Sequence, residues 1–286
     1  MASPTLRQRQ LAMRLRELRH ESGLSIAEVA KQLLCSPAKI SRIETTQRPA
    51  SLRDVRDLCG LYGVADPSEL MELAREARKP GWWQESENRL LRALIGLETE
   101  AIKISQYDTT TIPGLVQTEE YARAVIRGYL PRIDPEVLDH RVATRMRRQQ
   151  LLSKANPPRY WILLDESALH RHIGGARVMA GQLGRLLETA EQPHVTIQVI
   201  PYTVGAHMGL DTAFVLLEFD ADTGVKDTVY MELPQGQFYE ERTGYIQRFI
   251  EILDQLRATA LSPHESTNWI SSHKARFEQQ AAQETG

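Results

Sequence analysis

The stretch Gly23 to Glu44, GLSIAEVAKQLLCSPAKISRIE, decides how the first part of this chain folds. It divides into two short helices joined by a tight turn. Ser25 stands where it can cap the first helix, and Ile26, Val29, Ala30, Leu33 and Leu34 recur at helical spacing. Ser36 stands where it can cap the second. Pro37 follows at the first helical position, where its missing N–H costs nothing. Within the second helix Ile40 and Ile43 share one side, which leaves Pro37, Ala38, Lys39, Ser41 and Arg42 facing out. A short helix with small, polar and basic residues outward, braced by a preceding helix, has the form of a DNA recognition helix.

Upstream, residues 6–21 form an amphipathic helix with Leu11, Leu15 and Leu18 on one side. Arg7, Arg9, Arg14, Arg16 and Arg19 ring its other faces, either as a solvated surface or as contacts to backbone phosphates. Downstream, Gln47 to Ala50 is a loop in which Arg48 is a candidate phosphate clamp. Ser51 caps a further helix carrying Leu52, Val55, Leu58 and Leu61, and Pro67 to Arg78 is another. The five helices make an all-α helix-turn-helix bundle over residues 1–79. Lys79-Pro80-Gly81 breaks the chain there and begins a second domain, 80–286.

The second domain has a different pattern. Trp82-Trp83 is a hydrophobic anchor for the linker, and residues 86–107 are a helical run from Leu90 through Ile104. Helices follow over 117–128 and 136–154, the second rich in arginine. Strands are expected at Arg159–Leu164, Val195–Pro201, Ala213–Phe219 and Thr228–Leu233, with helices at 178–191, 240–261 and 266–283. The expected fold is multidomain: the N-terminal bundle, then an α+β domain with one sheet of roughly four strands flanked by helices.

Composition limits the function classes. A 286-residue chain with formal net charge −2 is not bulk-basic, but its charge is uneven. Residues 1–79 hold 14 basic and 10 acidic side chains, the remainder 21 and 27. A cationic front end suits a polyanionic partner. Cys35 and Cys59 fall where small apolar residues pack and read as reduced core thiols. No apolar run approaches the roughly 18 residues of a membrane span, and the N-terminus lacks the apolar core of a secretion signal. A cytoplasmic protein is expected.

Gly23-Leu24-Ser25, Glu28-Val29-Ala30 and Ile40-Ser41-Arg42-Ile43-Glu44 resemble the Cro-like, Xre-type helix-turn-helix family of bacterial DNA-binding domains. Ile26 stands where a DNA-contacting Gln is common, Leu34 where the turn has Gly, and Thr46 where Gly closes the recognition helix. Leu and Thr tolerate the left-handed backbone poorly, so the turn geometry is left open. In the second domain, Ile112 to Arg123 (IPGLVQTEEYAR), Arg145 to Gln149, Asp165 to Leu169, Gly174-Gly175, Val178-Met179 with Gln182-Leu183, and Gln198 to Pro201 with Gly205 carry a second resemblance. They are similar to large actinobacterial Xre-type regulators described as Scr-type, toxin–antitoxin-like. That resemblance implies a regulator with a sensing or partner-binding C-terminal domain and a small partner protein encoded beside it. It supplies no ligand.

The sites expected from these readings are as follows. DNA contacts fall to Ser25, Ser36, Pro37, Ala38, Lys39, Ser41, Arg42 and Arg48, with Arg42 reading guanine and Lys39 and Ser36 holding the phosphate backbone. Double-stranded DNA is the expected partner, bound by a homodimer on a two-fold operator. The loop Tyr202 to Asp211 joins two strands, as a connector or as the rim of a site for a partner protein or small effector. Tyr202, His207 and Met208 are its candidate contacts. Asp165 reads as a helix cap rather than a catalytic acid. His170 and His172 have the wrong spacing for one helix face, and no Cys or carboxylate stands beside them at ligand spacing, so no metal, cofactor or enzyme activity is expected. The rival readings are an antitoxin-like protein that mainly sequesters its partner, and an enzyme domain targeted by the helix-turn-helix.

Overall fold

The computed structural model describes residues 4–79, 89–221, 225–233 and 236–284. Trp82-Trp83 and the expected boundary at Pro80 lie outside them. The chain divides into two compact units, one of Met1–Glu85, Arg92–Glu100 and Phe219–Lys226, the other of Ser86–Leu91, Ala101–Glu218 and Asp227–Gly286.

The first unit is built on α1 (Pro4–Glu21), α2 (Ile26–Gln32), α3 (Pro37–Glu44), α4 (Leu52–Leu61) and α5 (Ser68–Glu76). Leu11, Leu15 and Leu18 of α1 meet Val29, Ile40, Ile43, Val55, Leu58, Leu70 and Ala74 in one core. Reciprocal capping boxes start two of the helices, Ser25 with Glu28 on α2 and Ser51 with Asp54 on α4. Four helices end on a residue in the left-handed region: Gly23, Leu34, Thr46 and Gly63. After α2, Cys35 N–H donates to Ala30 O (2.9 Å) and Leu34 N–H to Lys31 O (3.3 Å), which is the Schellman arrangement. The turn therefore keeps the shape of a glycine turn, with φ of 50° at Leu34 and 59° at Thr46.

Arg19 corrects the expected solvated arginine face. It is buried, and its Nε and Nη2 clasp the Glu44 carboxylate at 2.7 and 2.9 Å while Nη1 donates to Leu24 O (2.9 Å). This pair ties α1 to the end of α3 and to the turn before α2.

The second unit holds a six-stranded sheet in the order β3-β2-β1-β4-β5-β6. β1 (Lys103–Asp108), β2 (Arg159–Asp165) and β3 (Val195–Ile200) are parallel; β4 (Phe214–Glu218), β5 (Thr228–Leu233) and β6 (Gly236–Glu240) continue it antiparallel. The crossover from β1 to β2 carries α7 (Glu119–Tyr129) and α8 (Pro135–Arg148). The crossover from β2 to β3 carries α9 (Ser167–His170) and α10 (Ala176–Ala190), and α11 (Thr243–Thr259) and α12 (Pro263–Glu284) close the chain. Tyr107, Leu163, Phe214, Leu216 and Val229 pack under Ile246, Leu253 and Leu256 of α11. Ser266 of α12 accepts from the Val199 N–H (2.9 Å) and Leu261 N–H donates to Val199 O (2.9 Å), so part of the β3 edge is covered.

The sheet has two more strands than expected. The run 86–107 is not one helix: α6 (Arg89–Glu98) stops, and β1 begins five residues later at the centre of the sheet. Its middle residues Ser105 and Gln106 are polar and read poorly as a strand. Both are buried against distant partners, Arg257 Nη2 donating to Ser105 Oγ (2.9 Å) and Tyr160 Oη to Gln106 Oε1 (2.6 Å). β6 is a short, polar edge strand. Strand formation in both depends on the neighbouring ladder more than on local propensity.

The Ile112–Arg123 motif is a clamp of buried amides. Gln117 Nε2 donates to Ile112 O (2.6 Å), Tyr121 Oη accepts from Ile112 N–H (3.1 Å), and Gln182 bonds both Thr118 N–H (2.7 Å) and Val116 O (2.8 Å). Arg145 Nη1 then donates to Gln117 Oε1 (2.8 Å). The motif residues thus hold one another.

Candidate nucleic-acid interface

α3 buries the side that its sequence predicts, but Lys39 and Ser41, expected to face out, are half-buried. Ile40 and Ile43 are buried. Ser36 Oγ accepts from Lys39 N–H (3.2 Å) and fixes the start of the helix, while Ser36, Pro37, Ala38 and Arg42 are exposed. Ser41 is half-buried, its carbonyl accepting from Thr45 Oγ1 (2.8 Å). Arg42 makes no ion pair among the described residues, and neither does Arg48 in the exposed loop after α3, whose N–H donates to Arg42 O (3.0 Å). Arg42 stands in the last turn of α3 and Arg48 in the loop that follows it, both exposed and available to an outside acceptor.

Two expected contacts are occupied within the fold. Lys39 is half-buried and its Nζ donates to Asp54 Oδ1 (2.5 Å). Burial pushes the Asp54 carboxyl up, but the Lys39 ammonium and the Ser51 N–H and hydroxyl outweigh it and hold it below the usual range. Ser25 Oγ accepts from Glu28 N–H (3.2 Å) as the α2 cap, and its own N–H donates to Glu28 Oε2 (2.7 Å). Its hydroxyl proton remains available for a phosphate. Cys35 and Cys59 are free thiols, and burial raises the Cys59 pKa.

In the second unit the parallel strands end together, and the loop 202–211 lies at that carboxyl edge. Tyr202 N–H donates to Glu166 Oε2 (2.7 Å) and its ring stacks on His170 at 5.4 Å. His207 Nδ1 accepts from Gly209 N–H (3.2 Å), which leaves its Nε2 to carry the proton facing Asp165 Oδ2 at 3.6 Å. Met208 is exposed and joins neither group. Asp165 Oδ1 accepts from Ser167 N–H (2.9 Å) in an Asx turn, but the N-cap of α9 is Glu166, one residue later than the sequence suggests. One pairing differs from expectation: His170 has a carboxylate at helical spacing, Glu166, four residues earlier, and His170 Nε2 bonds Glu166 Oε1 at 3.0 Å. His172 turns away, edge-on to Phe277.

The fold and its exposed recognition helix define a helix-turn-helix protein with a large α/β second unit. A helix-turn-helix domain model matches residues 10–73. A second model, described as a domain of unknown function (DUF5753), matches residues 91–272, more than half of the chain, and the chain belongs to that family. No curated protein matches the chain, and neither does any solved structure. Among the described residues no helix is long and apolar enough to cross a membrane.

Proposed function

We propose that this chain is a sequence-specific DNA-binding transcriptional regulator that works in the cytoplasm as a homodimer. α3 enters the major groove of double-stranded DNA. Pro37, Ala38, Ser41 and Arg42 meet base edges, Arg42 in a bidentate contact to guanine. Ser25, Ser36 and Arg48 hold phosphates; Lys39 does so only by leaving Asp54, so Arg48 carries more of the backbone contact. The observation that carries this reading is the division of α3 into a buried Ile40/Ile43 side and an exposed side bearing Arg42, which has no ion pair among the described residues. A single domain of this size offers few contacts, which favours a dimer on a two-fold site.

The second unit acts by binding rather than catalysis. It receives a small neighbour-encoded partner protein or a small effector at the carboxyl edge of its parallel strands, where Tyr202 and His207 lie. Support comes from the position of that edge, where open α/β sheets collect ligands.

Genome-wide immunoprecipitation and sequencing of bound DNA tests the DNA reading. Discrete enriched sites are expected; their absence would overturn it. On a site so found, Arg42→Ala should weaken binding by about 1–3 kcal/mol and relax preference at one position. Unchanged affinity and preference would remove Arg42 from the base-reading set.

A further inference from the structure

Glu166, His170 and His273 converge on one point from α9 with its leading residue and from α12. His170 Nε2 lies 3.1 Å from His273 Nε2 and 3.0 Å from Glu166 Oε1, and His273 Nε2 lies 4.0 Å from Glu166 Oε1. We propose that these three side chains bind a divalent transition metal of the zinc type.

The spacing fits. A point about 2.0 Å from all three atoms exists in the plane of that triangle, and zinc takes imidazole nitrogen at about 2.0–2.1 Å and carboxylate oxygen at about 2.0–2.2 Å. Tetrahedral ligands at such distances stand about 3.3 Å apart. Two of the three edges are within about 0.3 Å of that, and the third, His273 Nε2 to Glu166 Oε1 at 4.0 Å, closes by about 0.7 Å when the metal enters.

The remaining atoms of Glu166 and His273 are already committed in the way metal ligands are, and His170 gives up the Nε2 proton it shares with Glu166 Oε1 and His273 Nε2 when the metal enters. His273 Nδ1 lies 2.9 Å from Trp269 O, and since a carbonyl only accepts, Nδ1 carries the proton and Nε2 presents its lone pair. Glu166 Oε2 accepts from Tyr202 N–H, which frees Oε1 for the shared point. The Tyr202 ring fixes the His170 imidazole by stacking. Glu166 and His273 are buried, while His170 is half-buried beside a small cavity lined also by His172, Arg276 and Phe277. Water or an exogenous group fills the fourth position from that side. Two imidazoles and one carboxylate are a donor set that zinc takes and that non-haem iron(II) also takes, with cobalt and nickel as substitutes.

The test uses the full-length chain, free of any affinity tag and stripped with chelator. Calorimetric titration with zinc chloride should show one saturable equivalent, and cobalt chloride should give the visible absorption of a four- or five-coordinate ion. Glu166→Gln and His273→Asn should each weaken zinc binding by about 100-fold or more, whereas His264→Asn, at an exposed histidine elsewhere on α12, should leave it unchanged. Circular dichroism of the metal-free variants checks that they fold. If they do not, X-ray absorption of the zinc-loaded wild type decides. A shell with two imidazoles supports the site, and a shell without imidazole overturns it. Absence of saturable binding by the wild type, or binding indifferent to Glu166→Gln and His273→Asn, also overturns it.

Discussion

Replacing Leu34 by glycine should stabilise the first unit. Leu34 holds φ of 50°, and its side chain is 94 % exposed, so it offers almost no burial to offset its backbone. A left-handed conformation costs a side-chain-bearing residue about 1–2 kcal/mol. Glycine removes that cost but adds freedom to the unfolded chain, worth about 0.4–1 kcal/mol in the opposite direction. The net expectation is a gain of about 0.7 kcal/mol. The Schellman bonds at Cys35 and Leu34 are backbone bonds and survive the change. The assay is native-state hydrogen exchange on the intact chain, read at the core amides of α4 around Val55 and Leu58, which reports opening of this unit by itself. Exchange should slow roughly threefold in Leu34→Gly. Leu34→Ala keeps a Cβ in the same conformation and should leave exchange unchanged. Exchange in Leu34→Gly no slower than wild type, or equal slowing in both variants, would refute the strain argument.

Glu44→Ala strands the buried Arg19 guanidinium and should cost about 3–5 kcal/mol in urea denaturation, whereas Arg19→Met with Glu44→Leu should recover most of that; a loss under about 1 kcal/mol in the single variant would mean the pair is not desolvated. Burial pushes the Asp108 carboxyl up to about 7. Its folded pKa lies above the unfolded one, so its contribution is present at low pH and is lost as pH rises from about 4 through about 7. That loss is on the order of 2 kcal/mol, half the full linkage value because the residue is not wholly cut off from solvent. Asp108→Asn should flatten this fall in denaturant titrations across that range, and an unchanged slope would clear Asp108 of the effect. Gly209→Ala places a Cβ 2.6 Å from a ring carbon of the fully buried Tyr107, so thermal unfolding should show a loss of about 1–3 kcal/mol; a neutral result would show that the 202–211 loop is not seated on the ring.

Local rules read the first unit well. Helix caps at Ser25, Ser36 and Ser51 and the apolar spacing of Ile40 and Ile43 are near-neighbour properties, so they are legible in a linear chain. The exposed side of α3 followed from the same periodicity. In the second unit, β2 to β5 carried enough β-branched and aromatic residues to be read directly. β1 did not, because Ser105 and Gln106 are strand residues only once Arg257 and Tyr160 satisfy them from 152 and 54 residues away.

The sequence by itself determined where the helix-turn-helix lies, which side of α3 faces out, and that Leu34 and Thr46 stand where left-handed backbone is needed. Tertiary structure decided whether those two residues adopt it: both do, because the core of Val29, Ile40 and Ile43 holds the turn against the strain. It also decided which charges are free. Arg19 and Lys39 look as available as Arg42 in a linear reading, yet Glu44 and Asp54 neutralise them across 25 and 15 residues. The convergence of Glu166 and His170 with His273 is of the same kind, since 103 residues separate the two imidazoles. Contacts at that range depend on how the sheet and its helices close, and spacing along the chain does not encode them.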